Sequence, residues 1–284
     1  MFGYTASMAS IIGLVGAPFV LQDLNALSYL YMGFLSILVM LLLLHAILVE
    51  KRKLHRYAQT VFYTHYAQHL VRDALSELMN SNTDNIEEIS EKILDAIANC
   101  FSIVSGKTCR ASIVELSSDF TLKVVARNSM SKIKSKPRLK QHKLEENTDF
   151  NSLWYSINGS SRYYLNNNIK ESWLKKEYEN SCFLEHDYPR IKRILGFTYV
   201  ENWPLSYQSA LILPIRYVSE FSPPAGRKKE PNWDYFGFLC IDCASKNSFD
   251  SRYSTELGAG FADMLYTFYR QVYENLDDLT LPLK

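Results

Sequence analysis

The chain has 284 residues and a formal net charge of +1, from 31 Lys and Arg against 30 Asp and Glu, so no global field points to nucleic acid. Its five cysteines (Cys100, Cys109, Cys182, Cys240 and Cys243) are odd in number and scattered. That excludes a secreted disulfide framework and fits a reducing compartment.

Residues 1–22 carry no charged side chain, and Asp23 is the only one before Glu50. Tyr4–Leu21 is an apolar segment at the short end of what spans a bilayer, with Ala9, Gly13 and Ala17 at four-residue spacing where another helix can approach. The bland alternative is an interfacial or re-entrant helix. No basic region precedes the segment, which argues against a cleavable signal peptide. Leu24–Val49 contains no Asp, Glu, Lys or Arg and includes the run Leu41–Leu44. At about 1.5 Å of rise per residue it is long enough to cross a hydrocarbon core. These segments predict a transmembrane helical hairpin over 1–50, made of Tyr4–Leu21 and Ala26–Val49. The basic cluster Lys51, Arg52, Lys53 and Arg56 follows, and basic flanks stay on the cytoplasmic side. The expectation is an inner-membrane protein with its soluble part in the cytoplasm and the lipid bilayer as its first partner.

Lys51–Met79 has no Gly or Pro and reads as a connecting helix over 51–80. His65, His69 and Asp73 stand at i, i+4 and i+8 on one face of it. Three such residues span about 12 Å, too far for one ion, so only adjacent pairs could chelate. A polar helix face is the plainer reading, and no metal is expected.

The soluble part, 81–284, reads as α+β. Ile86–Phe101 is an amphipathic helix, Cys109–Leu116 and Phe120–Ala126 form a hairpin around Ser117–Asp119, and Ala210–Tyr217 and Phe236–Cys243 are strands. A Pro/Gly-rich loop, Ser222–Asn232, joins the last two, and Arg252–Leu276 is a closing helix. The layout implies one antiparallel sheet with helices packed on it. Lys123–Lys143 holds eight basic residues and no acid. Lys132, Lys134, Lys136, Arg138 and Lys140 fall at every second position and would repel on one strand face, so a solvated loop is expected. A surface for anionic lipid or a phosphate-bearing ligand is the alternative, joined at the membrane by Lys51, Arg52 and Lys53. No nucleic-acid reading motif accompanies the patch.

Ser209–Tyr217 (SALILPIRY), Tyr235–Asp242 (YFGFLCID), Phe249 and the terminal helix together resemble a GAF domain, over about residues 84–275. Asp149–Ile169 is similar to the short helix and strand that flank the family's pocket. The resemblance implies a small-molecule sensor or dimerisation module. Its pocket lining by analogy is Trp154, Tyr155, Arg162, Tyr164, Asn166 and Asn168, with Arg216 and Asp242 on the sheet. The order Lys246–Asn247, and Tyr253–Ser254 four residues after Phe249, depart from the N-K…F-x3-D-E signature of the cyclic-nucleotide phosphodiesterase branch. Residues 169–207 exceed the family's minimal pattern; their aromatics imply either a lid or a subdomain packing its own rings.

No phosphate loop, kinase, cyclase, phosphodiesterase or nucleophile-elbow motif is present, so an enzyme is not expected. A branch of the family reduces free methionine sulfoxide with cysteines, and Cys182 is the one cysteine the sequence sets near a pocket. Cys240 and Cys243, three apart on a strand, point to opposite faces and read as structural. With no output domain after the last helix, the reading is a membrane-anchored sensor, acting as a homo-oligomer or through a separate output protein. The alternatives are a nucleotide-triggered two-helix membrane effector of a bacterial defence system and a ligand-free docking subunit. No cofactor is specified.

Overall fold

The fold is that of a computed structural model, which describes residues 26–79, 86–134, 142–155, 162–181, 183, 190–194, 197–201, 203–220 and 232–280. The chain divides into two compact units, Met1–Ala58 and Gln59–Lys284. Tyr4–Leu21, the first arm of the expected hairpin, lies outside the described residues. Helix α1, Ala26–Met79, takes in both the expected span and the expected connecting helix as one element of 54 residues. Its span portion exposes its large apolar side chains and is long and apolar enough to cross a membrane.

In the second unit, α2 (Ile86–Ser105) and the closing helix α6 (Tyr253–Thr280) lie on one side of a six-stranded antiparallel sheet. The strands are β1 (Cys109–Leu116), β2 (Thr121–Arg127), β3 (His142–Lys143), β4 (Tyr164–Asn166), β7 (Ser209–Glu220) and β8 (Asn232–Cys243), in the order β3-β2-β1-β8-β7-β4. A separate hairpin pairs β5 (Arg190–Ile194) with β6 (Phe197–Glu201). The short helices are α3 (Ser129–Lys134), α4 (Thr148–Tyr155) and α5 (Ile169–Leu174).

The main core follows from two periodicities. Ile93, Leu94, Ile97 and Phe101 of α2, with Phe261, Leu265, Phe268 and Val272 of α6, face Ala111 and Ile113, Leu211, Leu213 and Ile215, and Leu239 and Ile241. Ala67, Val71 and Ala74 of α1 join the same core, and the Thr64 hydroxyl contacts Cys100 Sγ at 3.5 Å. The other sheet face carries a second cluster, with Val114, Leu122, Ile212 and Phe238 under Leu153 and Phe150 of α4. Asp250 caps α6 by accepting from Arg252 N at 2.8 Å and Tyr253 N at 2.9 Å, which holds its carboxyl below the usual range.

Two expectations need correction. Lys123–Lys143 is not one loop: it contains the second half of β2, then α3, then β3. Asp95 of α2 starts α3 by accepting from Ser129 N at 3.0 Å and Ser129 Oγ at 2.8 Å. Lys132 and Lys134 therefore stand on a helix, whereas Lys136, Arg138 and Lys140 lie outside the described residues. The last two strands are also longer than read, because pairing continues through Val218 opposite Trp233 and Glu220 opposite Asn232. Pro214 sits inside β7 without breaking it because β4 pairs only with Ala210, Leu211 and Ile212, which leaves an unpaired edge beyond them.

Gly237 marks the tightest strand contact. A Cβ there would lie 2.1 Å from the Val114 carbonyl oxygen and 2.9 Å from Glu115 Cα. Both are backbone atoms and cannot swing aside. Gly260, in the middle of α6, has nothing within 4 Å of such a Cβ. Gly237→Ala is expected to destabilise the fold by about 3 kcal/mol. Gly260→Ala should stabilise it by about 0.5–1 kcal/mol through helix propensity. Denaturant unfolding of the two variants beside the parent chain checks both signs.

Candidate functional site

The second face of the sheet is not filled by side chains alone. Between it and α4 lies a cavity of about 110 Å³, walled by β1, β2, β8 and β7 on one side and by residues 142–150, Asn180, Ser181 and Tyr207 on the other. At about 30 Å³ per water it has room for on the order of four waters or a small organic molecule of similar size. The floor is apolar, with Val114, Val124, Ala210 and Ile212, and the rim is polar.

Two hydrogen-bond chains build the rim. Asn147 holds the first: its Nδ2 donates to Lys143 O at 2.7 Å, and its Oδ1 accepts from Ser181 N at 3.2 Å and Ser181 Oγ at 3.1 Å. His142 Nδ1 contacts the same Ser181 Oγ. A serine has one hydroxyl proton, and with it donated to Asn147 the imidazole Nδ1–H donates to Ser181. That direction is opposite to general-base activation. Asp149 holds the second chain. Its Oδ1 accepts from Phe150 N at 2.9 Å, its Oδ2 accepts from the Tyr178 hydroxyl at 2.9 Å, and Asn180 Nδ2 donates to that hydroxyl at 3.0 Å. Thr148 N to Glu179 O at 3.1 Å and Glu179 N to Thr148 Oγ1 at 2.8 Å staple the two walls together.

Asp149 is buried, and desolvation raises its carboxyl to about 6, against the pull of the Phe150 amide and the Tyr178 hydroxyl. Arg127 reaches the cavity from the end of β2. Cys240 lines it too, and burial pushes its thiol well above the ordinary value, with Asp149 and Asp242 adding to the effect. A thiol held protonated is a poor nucleophile. Cys243 lies on the opposite face of β8, in the main core, as alternation requires. Burial also raises Cys109 to about 12 and Cys100 to about 11. Cys182 lies outside the described residues.

Of the eight positions given by resemblance, Asp242 lines the cavity, and its Oδ1 accepts from Arg110 Nε at 2.7 Å and from Arg110 Nη2. Trp154 and Tyr164 belong to the apolar cluster beside it; Trp154 meets Tyr235 edge-on at 5.2 Å and Phe120 at 5.7 Å. Arg216 pairs in register with Tyr235, and burial lowers its guanidinium value. Asn166 donates to Tyr164 Oη at 3.1 Å and Ser172 Oγ at 2.9 Å, and Asn168 donates to Glu171 at 2.6 Å, so both shape the turn into α5. Arg162 is exposed, and the Tyr155 side chain is outside the described residues. Trp173, Tyr178, Phe183 and Trp203 pack on one another around Ile169 and Leu205, a satellite cluster of their own. Lys246 and Asn247 turn their carbonyls to Lys107 Nζ at 2.6 and 3.0 Å. The cavity residues Arg127, His142, Asn147, Asp149, Asn180 and Ser181 were missed; the one signal for them is the segment Asp149–Ile169, which resembles a pocket flank.

No protein-family model and no curated protein matches the sequence. Among solved structures the chain is similar to residues 122 to 287 of a methyl-accepting chemotaxis protein, at 14% identity over 70% of this chain and 97% of that one, TM-score 0.41. It is similar to the type II free methionine-R-sulfoxide reductase from Thermoplasma acidophilum at 16% identity over 66% and 94%, TM-score 0.37. The GAF domain from Acinetobacter phosphoenolpyruvate-protein phosphotransferase aligns at 13% identity over 76% and 96%, TM-score 0.36. No ligand or activity is carried over from them.

The raised Asp149 value has a signed consequence. Its neutral form is favoured in the folded state, so its contribution to stability is full below the unfolded value near 3.8 and is lost as pH rises through about 6. Asp149→Asn keeps the shape without the charge. It should be more stable than the parent at pH 7.5 by about 1–3 kcal/mol, and the gap should close by pH 4. Unfolding midpoints of both chains across that range check the crossover; a gap independent of pH would show that Asp149 ionises freely in the fold.

Proposed function

We propose that the protein is a membrane-anchored cytoplasmic sensor whose GAF-like domain takes a small polar ligand into the cavity above β1, β8 and β7. The observation that carries this reading is the cavity itself: an apolar floor, a ring of neutral donors and acceptors, one buried carboxyl at Asp149 and one guanidinium at Arg127. Convergent polar groups around an apolar floor in a concave pocket are the ordinary form of a ligand site. Its size suits a metabolite of amino-acid dimensions better than a tetrapyrrole. The likeness of Ser209–Tyr217 and Tyr235–Asp242 to the GAF strands supports the same reading.

The membrane half of the proposal rests on α1. Its apolar stretch is followed by Lys51, Arg52 and Lys53, which hold the domain on the cytoplasmic side. From Gln59 onward the same helix carries Ala67, Val71 and Ala74 into the domain core. A ligand that binds two packings of that core unequally would bias the helix, and through it an oligomer partner or a separate output protein.

The full chain, purified in detergent, should release one small molecule when examined by native mass spectrometry. Ser112→Leu, which fills the cavity from β1, should lose that molecule while keeping its unfolding midpoint. A parent chain that carries and binds nothing, or a variant that retains the ligand, would remove the cavity from the account. The parent should also resist carbonate extraction from membranes.

A further inference from the structure

The connecting part of α1 holds a feature that the cavity does not use. Ala67, Val71 and Ala74 turn one face of the helix into the core. His65 and His69 stand on the opposite face, one turn apart. Their rings meet edge-on with centroids 4.2 Å apart, and the two Nε2 atoms lie 2.8 Å from each other. One nitrogen donates and the other accepts, so the two Nε2 atoms face each other across a gap close to the bite of a chelated ion.

We propose that His65 and His69 form a binding site for one late first-row divalent ion, of the class Zn²⁺, Ni²⁺ and Cu²⁺. Neutral imidazole nitrogen is a preferred ligand for these ions. With metal–nitrogen bonds of about 2.0–2.1 Å and a tetrahedral angle, the two nitrogens stand about 3.3 Å apart. The pair opens by a few tenths of an ångström to admit the ion, through side-chain torsions of residues at the surface. The hydrogen shared between the two Nε2 atoms leaves that position, and the donating ring takes its Nδ1–H tautomer, so two neutral imidazoles bind the ion without net proton release.

The neighbourhood sets the character of the site. Asp73 does not reach it: its Oδ1 accepts from Arg72 Nε at 2.9 Å and Nη2 at 2.7 Å. No third His, Cys, Asp or Glu completes a cluster among the described residues. Two protein ligands with water in the remaining positions make an exchangeable site, unlike a closed four-ligand structural one. The bound ion clips residues 65 and 69 across one helical turn. It would therefore stiffen the helical turn whose opposite face carries Ala67 into the domain core, whatever occupies the cavity.

The test uses the full chain in detergent, free of any histidine tag, titrated with Zn²⁺ against a chromophoric competitor and separately with Cu²⁺. One ion per chain is expected, bound more tightly for Cu²⁺ than for Zn²⁺. His65→Asn and His69→Asn should each weaken Zn²⁺ by at least about tenfold, while Asp73→Asn leaves it unchanged. The Cu²⁺ complex should show nitrogen hyperfine structure in its electron paramagnetic resonance spectrum, lost in the double variant. Equal affinity in the parent and both single variants, or a spectrum without nitrogen ligation, overturns the site. Melting curves without metal confirm that the variants fold, which their surface positions predict.

Discussion

Strands β1, β8 and β7 have to satisfy two environments at once, and a side-chain period of two is what lets them do so. Ala111 and Ile113, Leu239 and Ile241, and Leu211 and Leu213 enter the main core beneath the helices. The residues between them, Ser112, Cys240 and Ile212, stand on the other face and wall the cavity. A slip of one residue would put Asp242 and Ser112 into the helix-packed core and Ile241 into the polar rim. The register is therefore under constraint from both sides, and the close approach of Gly237 to the Val114 carbonyl locks it where β1 meets β8.

That arrangement explains how a buried polar space persists in a small domain. An apolar cavity would cost stability, and a lone buried carboxylate would cost more. Here Asp149 is bonded by an amide and a phenol, Asn147 by a backbone carbonyl and a serine, and the two walls are stapled by backbone bonds. The charge on Asp149 is the residual cost, met by a carboxyl value near 6. Under the proposed reading the same bonds would prearrange the site for a polar guest, because groups already fixed need little reordering on binding.

Much of the frame was legible in the sequence because it is repetitive. Cys109–Leu116 declared β1 to the residue, and the Ile/Leu spacing of α2 and the Phe/Leu spacing of α6 declared both helices. The opposite facing of Cys240 and Cys243 followed from the same period. The pocket was less legible because it is made where periodicity stops. His142 and Asn147 meet Ser181 across more than thirty residues of chain, and Asp149 meets Tyr178 across 29, through side-chain bonds that no spacing rule encodes. The basic run misled for a related reason: the helix Ser129–Lys134 inside it is started by Asp95, a partner remote in sequence.

The helix that precedes this frame obeys a different solvent rule. Leu41, Leu42, Leu43 and Leu44 are consecutive, and 52%, 61%, 52% and 51% of their surface is exposed. Four successive residues of an α-helix point around its whole circumference, so no single docked partner could cover them together. An amphipathic stripe asks for one neighbour; a helix apolar all round asks for an apolar medium on every side. From Tyr29 to Val49 the rise is about 31 Å, so this stretch is long and apolar enough to cross a membrane. The change to a one-sided pattern comes beyond the basic residues, where Ala67, Val71 and Ala74 are buried while Arg72 and Asp73 stay in water. A single helix thus carries two patterns, apolar all round and then apolar on one face, and Lys51, Arg52 and Lys53 stand in sequence between them.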